Sequence, residues 1–144
     1  MKNRNVEGYA GDISPIEAWK ILETHENSIM IDVRTSAEWN YVGMVDLSSL
    51  GKEVSQIEWK MFPNMTINPN FIEQVNKICT NTDVKIISLC RSGQRSISTS
   101  KALTHAGFKE CYNVLEGFEG DKDNHGHRGH RGGWKFHGLP WKQN

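Results

Sequence analysis

The segment VKIISLCRSGQRS, Val84 to Ser96, reads as a buried strand, a tight loop and the start of a helix. Val84 to Leu89 is a short apolar run of strand length, with no polar alternation, as expected of a strand covered on both faces. It stops at Cys90, and two arginines and a glycine fill the loop that follows. A helical pattern then runs from about Gln94 to Ala106 and ends at Gly107, where a left-handed residue closes a helix. This is the repeating unit of a parallel sheet, and such sheets bind ligands beyond the carboxyl ends of their strands. The Cys90 thiol is therefore expected on the ligand edge.

Working outward, Ser14-Pro15-Ile16-Glu17 is a capping box with proline at the first helical position, followed by Ile16, Trp19 and Leu22 at helical spacing. Ser28 to Arg34 is a second nearly continuous apolar strand that turns polar at Asp32 and Arg34. A short helix from Ser36 to about Tyr41 and a weak strand near Met44 to Leu47 follow. Residues 48–68 are irregular and hold Ile57, Trp59, Met61 and Phe62, a loop or short helix folded over the core. Asn68-Pro69 begins a helix whose Phe71, Ile72, Val75, Ile78 and Cys79 share one face. Tyr112 to Leu115 is a further strand. The alternation predicts a three-layer α/β fold with a parallel sheet flanked by helices on both faces. It is expected to form a single domain over residues 1–144, with a Gly/His-rich loop at about 119–133.

Lysine plus arginine balances aspartate plus glutamate, 17 against 17, so no global field points to nucleic acid or a membrane surface. No apolar run is long enough to span a bilayer, and the N-terminus lacks the apolar segment of a secretory leader. The three cysteines, Cys79, Cys90 and Cys111, are odd in number and lack CxxC spacing. The expectation is a reduced, cytoplasmic protein with free thiols, in which Cys79 and Cys111 are core residues. His125, His127 and His130 have the spacing H-x-H-x-x-H, which is not that of a defined zinc site, so neither metal nor cofactor is expected. The segment is instead expected to be a mobile loop at the Cys90 edge, with Arg128 and Arg131 selecting a donor or docking partner.

A cysteine closing a buried strand can be simply a small apolar residue. Here the loop between strand and helix allows backbone amides to converge on the thiol, and the helix N-terminus adds positive potential. Arg91 and Arg95 add charge, and all three effects favour a thiolate at Cys90. Gly93 is expected to supply a backbone angle closed to other residues. Phosphatase and arsenate reductase loops place five residues between cysteine and arginine. Here four separate Cys90 from Arg95, and position 96 is serine, which argues for a smaller nest suited to one sulfur atom.

IDVRTSAEW (Ile31 to Trp39), LCRSGQRS (Leu89 to Ser96), YNVLEGFEG (Tyr112 to Gly120) and GGWKFHGLPW (Gly132 to Trp141) together resemble a single-domain rhodanese of bacterial type, a sulfurtransferase. Departures are YVGMVDLSSL after the first of these, the ending NVLEGFEG, and an extra segment at 48–68. The resemblance implies a five-stranded parallel sheet and a persulfide formed on Cys90. It implies that Arg91, Ser92, Gly93, Gln94, Arg95 and Ser96 bind the substrate through their amides and charges. The donor would be a small anionic sulfur compound such as thiosulfate, and the acceptor cyanide, a thiol or a protein. Arg95 would attract the donor or be tied to a carboxylate as scaffold. Asp32 would position the loop across the strand ends, and Arg34 would be a second anion contact or pair with Glu38. The other reading is a rhodanese-fold interaction or redox-sensing module without turnover.

Overall fold

The computed structural model describes residues 8–143. Its main sheet has five parallel strands in the order β1-β8-β7-β2-β4. They are β1 (Gly11–Ile13), β2 (Ser28–Asp32), β4 (Ser55–Gln56), β7 (Lys85–Leu89) and β8 (Glu110–Val114). The helices are α1 (Pro15–Thr24), α2 (Ser36–Tyr41), α3 (Phe71–Ile78) and α4 (Arg95–His105). Two small antiparallel pairs lie outside the sheet: β3 (Met44–Val45) with β9 (Trp141–Lys142), and β5 (Lys60–Met61) with β6 (Thr66–Ile67).

The period-two alternation of each strand divides the core in two. Met30, Ile87, Leu89, Tyr112 and Val114 face one side and pack with Ala18, Ile21 and Leu22 of α1, together with Phe118 and Trp134. Ile31, Ile86 and Cys111 face the other side and pack with Phe71 and Val75 of α3 and Leu103 of α4. Helices thus cover both faces, as the alternation of elements requires. The expected capping box of Ser14 and Glu17 opens α1, and Thr35 with Glu38 forms a second one that opens α2.

Several expectations need correction. Residues 48–68 are not simply a loop over the core, because they supply the edge strand β4 and the β5–β6 hairpin. The Met44 segment pairs with the C-terminal β9 and not with the main sheet. Ile16 and Ile78 are 46% and 49% exposed. The buried face of α1 runs instead through Pro15, Ala18, Ile21 and Leu22. Ile78 is the last residue of α3, and Cys79, only half-buried, already has extended backbone. Trp134 is fully buried, donates from its indole N–H to the Pro140 carbonyl at 2.8 Å and meets Trp19 edge-on. No described helix is long and apolar enough to cross a membrane.

Candidate active site

Cys90 follows β7 directly and lies at the floor of a cavity of about 410 Å³ lined by Glu38, Lys60, Met65, Arg91, Ser92, Gln94 and Arg95. Its Sγ accepts from the Gly93 amide at 3.1 Å and the Ser96 amide at 3.4 Å, and lies 3.1 Å from the Ser96 hydroxyl. The turn after β8 holds the first two carbonyls of the loop. Phe118 N–H donates to the Cys90 carbonyl at 2.8 Å, and Glu119 and Gly120 donate to that of Arg91 at 2.9 and 3.2 Å. A peptide plane with its oxygen fixed on one side presents its hydrogen on the other, so these bonds set the direction of the Arg91 and Ser92 amides.

Two glycines make this close approach possible. Gly93 has φ +99°, as the sequence requires. Gly117, at φ +61°, passes so near the cysteine loop that a Cβ there would lie 2.4 Å from the Cys90 carbonyl oxygen.

Ser96 joins the thiol to the interior of the sheet. Its hydroxyl donates to Asn113 Oδ1 in a short hydrogen bond, and Asn113 Nδ2 donates to Asp12 Oδ1 at 3.0 Å. A serine has one hydroxyl proton. With that proton on Asn113, the Cys90–Ser96 contact uses the thiol hydrogen; once Cys90 is ionised, the hydroxyl can turn toward sulfur. Asn113 was missed in the sequence, where the only signal is an amide side chain inside the apolar strand Tyr112-Asn113-Val114.

Arg95 is tied down as scaffold. Its Nη1 and Nη2 donate to Glu38 Oε1 and Oε2 at 2.7 and 2.9 Å, linking α4 to α2. Burial alone would raise the Glu38 carboxyl, but the Arg95 hydrogen bond and charge outweigh it and hold the group below its ordinary value. A depressed carboxyl stabilises the fold fully above its unfolded value of 4.5 and loses that contribution as pH falls through the lower folded value. Glu38→Gln should therefore lower stability at neutral pH by about 1 kcal/mol, with the two unfolding curves converging as pH falls below 4.5. Urea titrations at several pH values would check this.

Asp32 and Arg34 are both fully buried and pair with each other. The Asp32 carboxylate accepts from Arg34 Nε at 2.9 Å, Nη2 at 2.8 Å and the backbone amide at 3.1 Å. Arg34 Nη2 also donates to the Gly43 carbonyl at 2.7 Å, and its guanidinium lies 4.4 Å from the centre of the Phe118 ring. Arg34 therefore neither pairs with Glu38 nor lines the cavity, and Asp32 makes no direct bond to the cysteine loop. The pair reaches that loop through Phe118, which Arg34 faces and whose amide bonds the Cys90 carbonyl.

Arg91 is exposed and lies on the cavity rim with Lys60, which the sequence did not single out. Neither has an ion-pair partner among the described residues. Arg128 and Arg131 are elsewhere: they donate to the Gly120 carbonyl and to Asn124 Oδ1, each at 2.7 Å, and neither lines the cavity. Cys111 is buried, and desolvation pushes its thiol up to about 11. Burial raises Cys79 as well.

Comparison with known proteins places this geometry among relatives. The family model described as Rhodanese-like domain matches residues 14–124. The crystal structure of Rv0390 from M. tuberculosis is 46% identical, with a TM-score of 0.87 over 94% of this chain and 99% of that one. An uncharacterized protein of Rickettsia conorii is 34% identical over 91% of this chain and 96% of its own length. Thiosulfate sulfurtransferase 16, chloroplastic, of Arabidopsis thaliana is 30% identical, with 78% of each chain covered.

Proposed function

The chain belongs to the rhodanese-like domain family, and from that premise we propose that it is a sulfurtransferase carrying sulfane sulfur as a persulfide on Cys90. The observation that carries this reading is the Cys90 sulfur at the base of an open cavity, facing the amides of Gly93 and Ser96. Arg91, Ser92, Gly93, Gln94, Arg95 and Ser96 form the cradle, and Asp32 and Arg34 support it from behind.

In the first half-reaction the Cys90 thiolate attacks the outer sulfur of a donor such as thiosulfate. The S–S bond of the donor breaks, and sulfite leaves with the electron pair. The product is a Cys90 persulfide anion, whose charge the loop amides stabilise as an oxyanion hole does. In the second, cyanide or a thiolate, small or on a protein, attacks that outer sulfur, the Cys90 S–S bond breaks, and Cys90 returns as thiolate. The thiolate is the nucleophile throughout and sulfite leaves as a stable anion, so neither step needs a general base.

Incubation with thiosulfate followed by intact mass measurement tests this reading. The protein should gain the mass of one sulfur atom and lose it on adding cyanide. No gain with thiosulfate, polysulfide or a persulfide donor would overturn the assignment.

Donor capture depends on the cations left uncompensated. Glu38 neutralises Arg95, so Lys60 and Arg91 carry the positive charge of the rim. Lys60→Ala and Arg91→Ala are each expected to lower kcat/KM for thiosulfate by about 5–10-fold. The loss should shrink with added salt, and transfer from preformed persulfide to cyanide should change less. Stopped-flow measurement of the two half-reactions separates these effects.

A further inference from the structure

The glycine- and histidine-rich segment has no part in the cavity, yet it brings together three metal-ligating side chains. One ligand atom from each of Asp123, His127 and His130 lies within 4.8 Å of the others. The histidine spacing alone hid this arrangement, because Asp123 stands outside the H-x-H-x-x-H pattern. The turn that gathers them is built by the backbone. Asp123 N–H donates to the His127 carbonyl at 2.7 Å, and Gly126 N–H donates to the Asp123 carbonyl at 3.0 Å. Asp123 Oδ1 accepts from the amides of His125 and His127 at 2.8 and 3.0 Å. One carboxylate oxygen thus holds the turn, and the second remains available as a ligand atom.

The segment is also pinned at its ends and is not an open chain. Gly129 N–H donates to the Glu119 carbonyl at 2.8 Å, and Arg128 bonds the Gly120 carbonyl. Two imidazoles and one carboxylate suit a divalent late first-row ion, zinc above all, with a fourth position open to water. Ligands on a common zinc sit about 3.3 Å apart, given zinc–ligand distances of about 2.0–2.2 Å. The contraction required is within reach of rotamer adjustment, since His127 and His130 are exposed.

We propose that Asp123, His127 and His130 form a binding site for one divalent transition-metal ion of the zinc type. The site is independent of sulfur transfer on Cys90 and stands or falls separately. Its physical link to the cavity is the Glu119-Gly120 turn, whose amides bond the Arg91 carbonyl.

The test is a titration of the full-length, tag-free protein, with Zn2+ followed by calorimetry and Co2+ by its visible spectrum. One ion per chain is expected, with a Co2+ spectrum of nitrogen and oxygen ligation and no thiolate charge-transfer band. His127→Ala and His130→Ala should each weaken binding by about 100-fold. Asp123→Asn, which keeps an acceptor for the two amides while removing the charge, should weaken it by about 10-fold. His25→Ala and Cys90→Ser should bind as the wild type does. Three results would each overturn the proposal: no saturable uptake, equal uptake by the His127→Ala/His130→Ala double variant, or a thiolate band placing the ion on a cysteine.

Discussion

Cys90→Ala is expected to abolish sulfur uptake and turnover altogether, because no other thiol in the described structure has comparable surroundings. Cys111 is buried and its thiol is raised to about 11. Cys79 is half-buried, and its thiol donates to the Asn81 carbonyl. Cys90→Ser should be equally inactive for a different reason: the oxygen fits the amide cradle, but a serine hydroxyl is not ionised there and takes no sulfane sulfur. The two variants should differ in stability. Alanine leaves the Gly93 and Ser96 amides without their acceptor, at a cost of about 1 kcal/mol, whereas serine keeps an acceptor in place. Intact mass after thiosulfate treatment reads the first effect, and urea midpoints read the second. Persulfidation of either variant would remove Cys90 from the mechanism.

Breaking the Asp32–Arg34 pair should have the largest effect on stability. Both side chains are fully buried, so Asp32→Ala strands a guanidinium with no carboxylate in a low-dielectric interior. Loss of one partner from such a pair costs about 3–5 kcal/mol, which for a chain of this size lowers the melting temperature by roughly 10–15 °C. Arg34→Met should cost a similar amount by leaving the Asp32 charge and the Gly43 carbonyl unpaired. The double variant Asp32→Leu/Arg34→Met should recover much of the loss, since it leaves no buried charge. Calorimetric melting of the three variants tests this. Additive losses in the double variant would mean that the two side chains act separately.

The parts of the fold legible in the sequence are those with a local cause. The α1 start announces itself through its capping box, and the α4 end through Gly107. The central strands β2 and β7 show as apolar runs because both faces are covered. The edge strands do not show. β1 and β4 have three and two residues, too few for any periodicity, and their pairing is fixed by β8 and β2 across the sheet.

The candidate site divides in the same way. Cys90, Gly93 and Ser96 are contiguous enough to be read as one loop. The attachment of Arg95 to Glu38 spans 57 positions, and that of Asn113 to Asp12 spans 101. Arg34 was open to two readings because a guanidinium near the strand ends looks the same in sequence whether it faces an anion or the interior. Its burial under Phe118 and its pairing with Asp32 fit neither the anion contact nor the Glu38 pair.

The walls of the cavity have unequal ties to the rest of the molecule. Cys90 and the amides facing it lie in the loop between β7 and α4, whose first two carbonyls are held by the turn after β8. The opposite rim comes from the β5–β6 hairpin, which supplies Lys60 and Met65 and adds no strand to that sheet. Phe62 and Ile67 of the same hairpin are 76% and 56% exposed. Grafting a hairpin of different length or charge would therefore retune which molecules reach the sulfur while leaving the cysteine loop intact, so divergence among related chains has a natural place to accumulate.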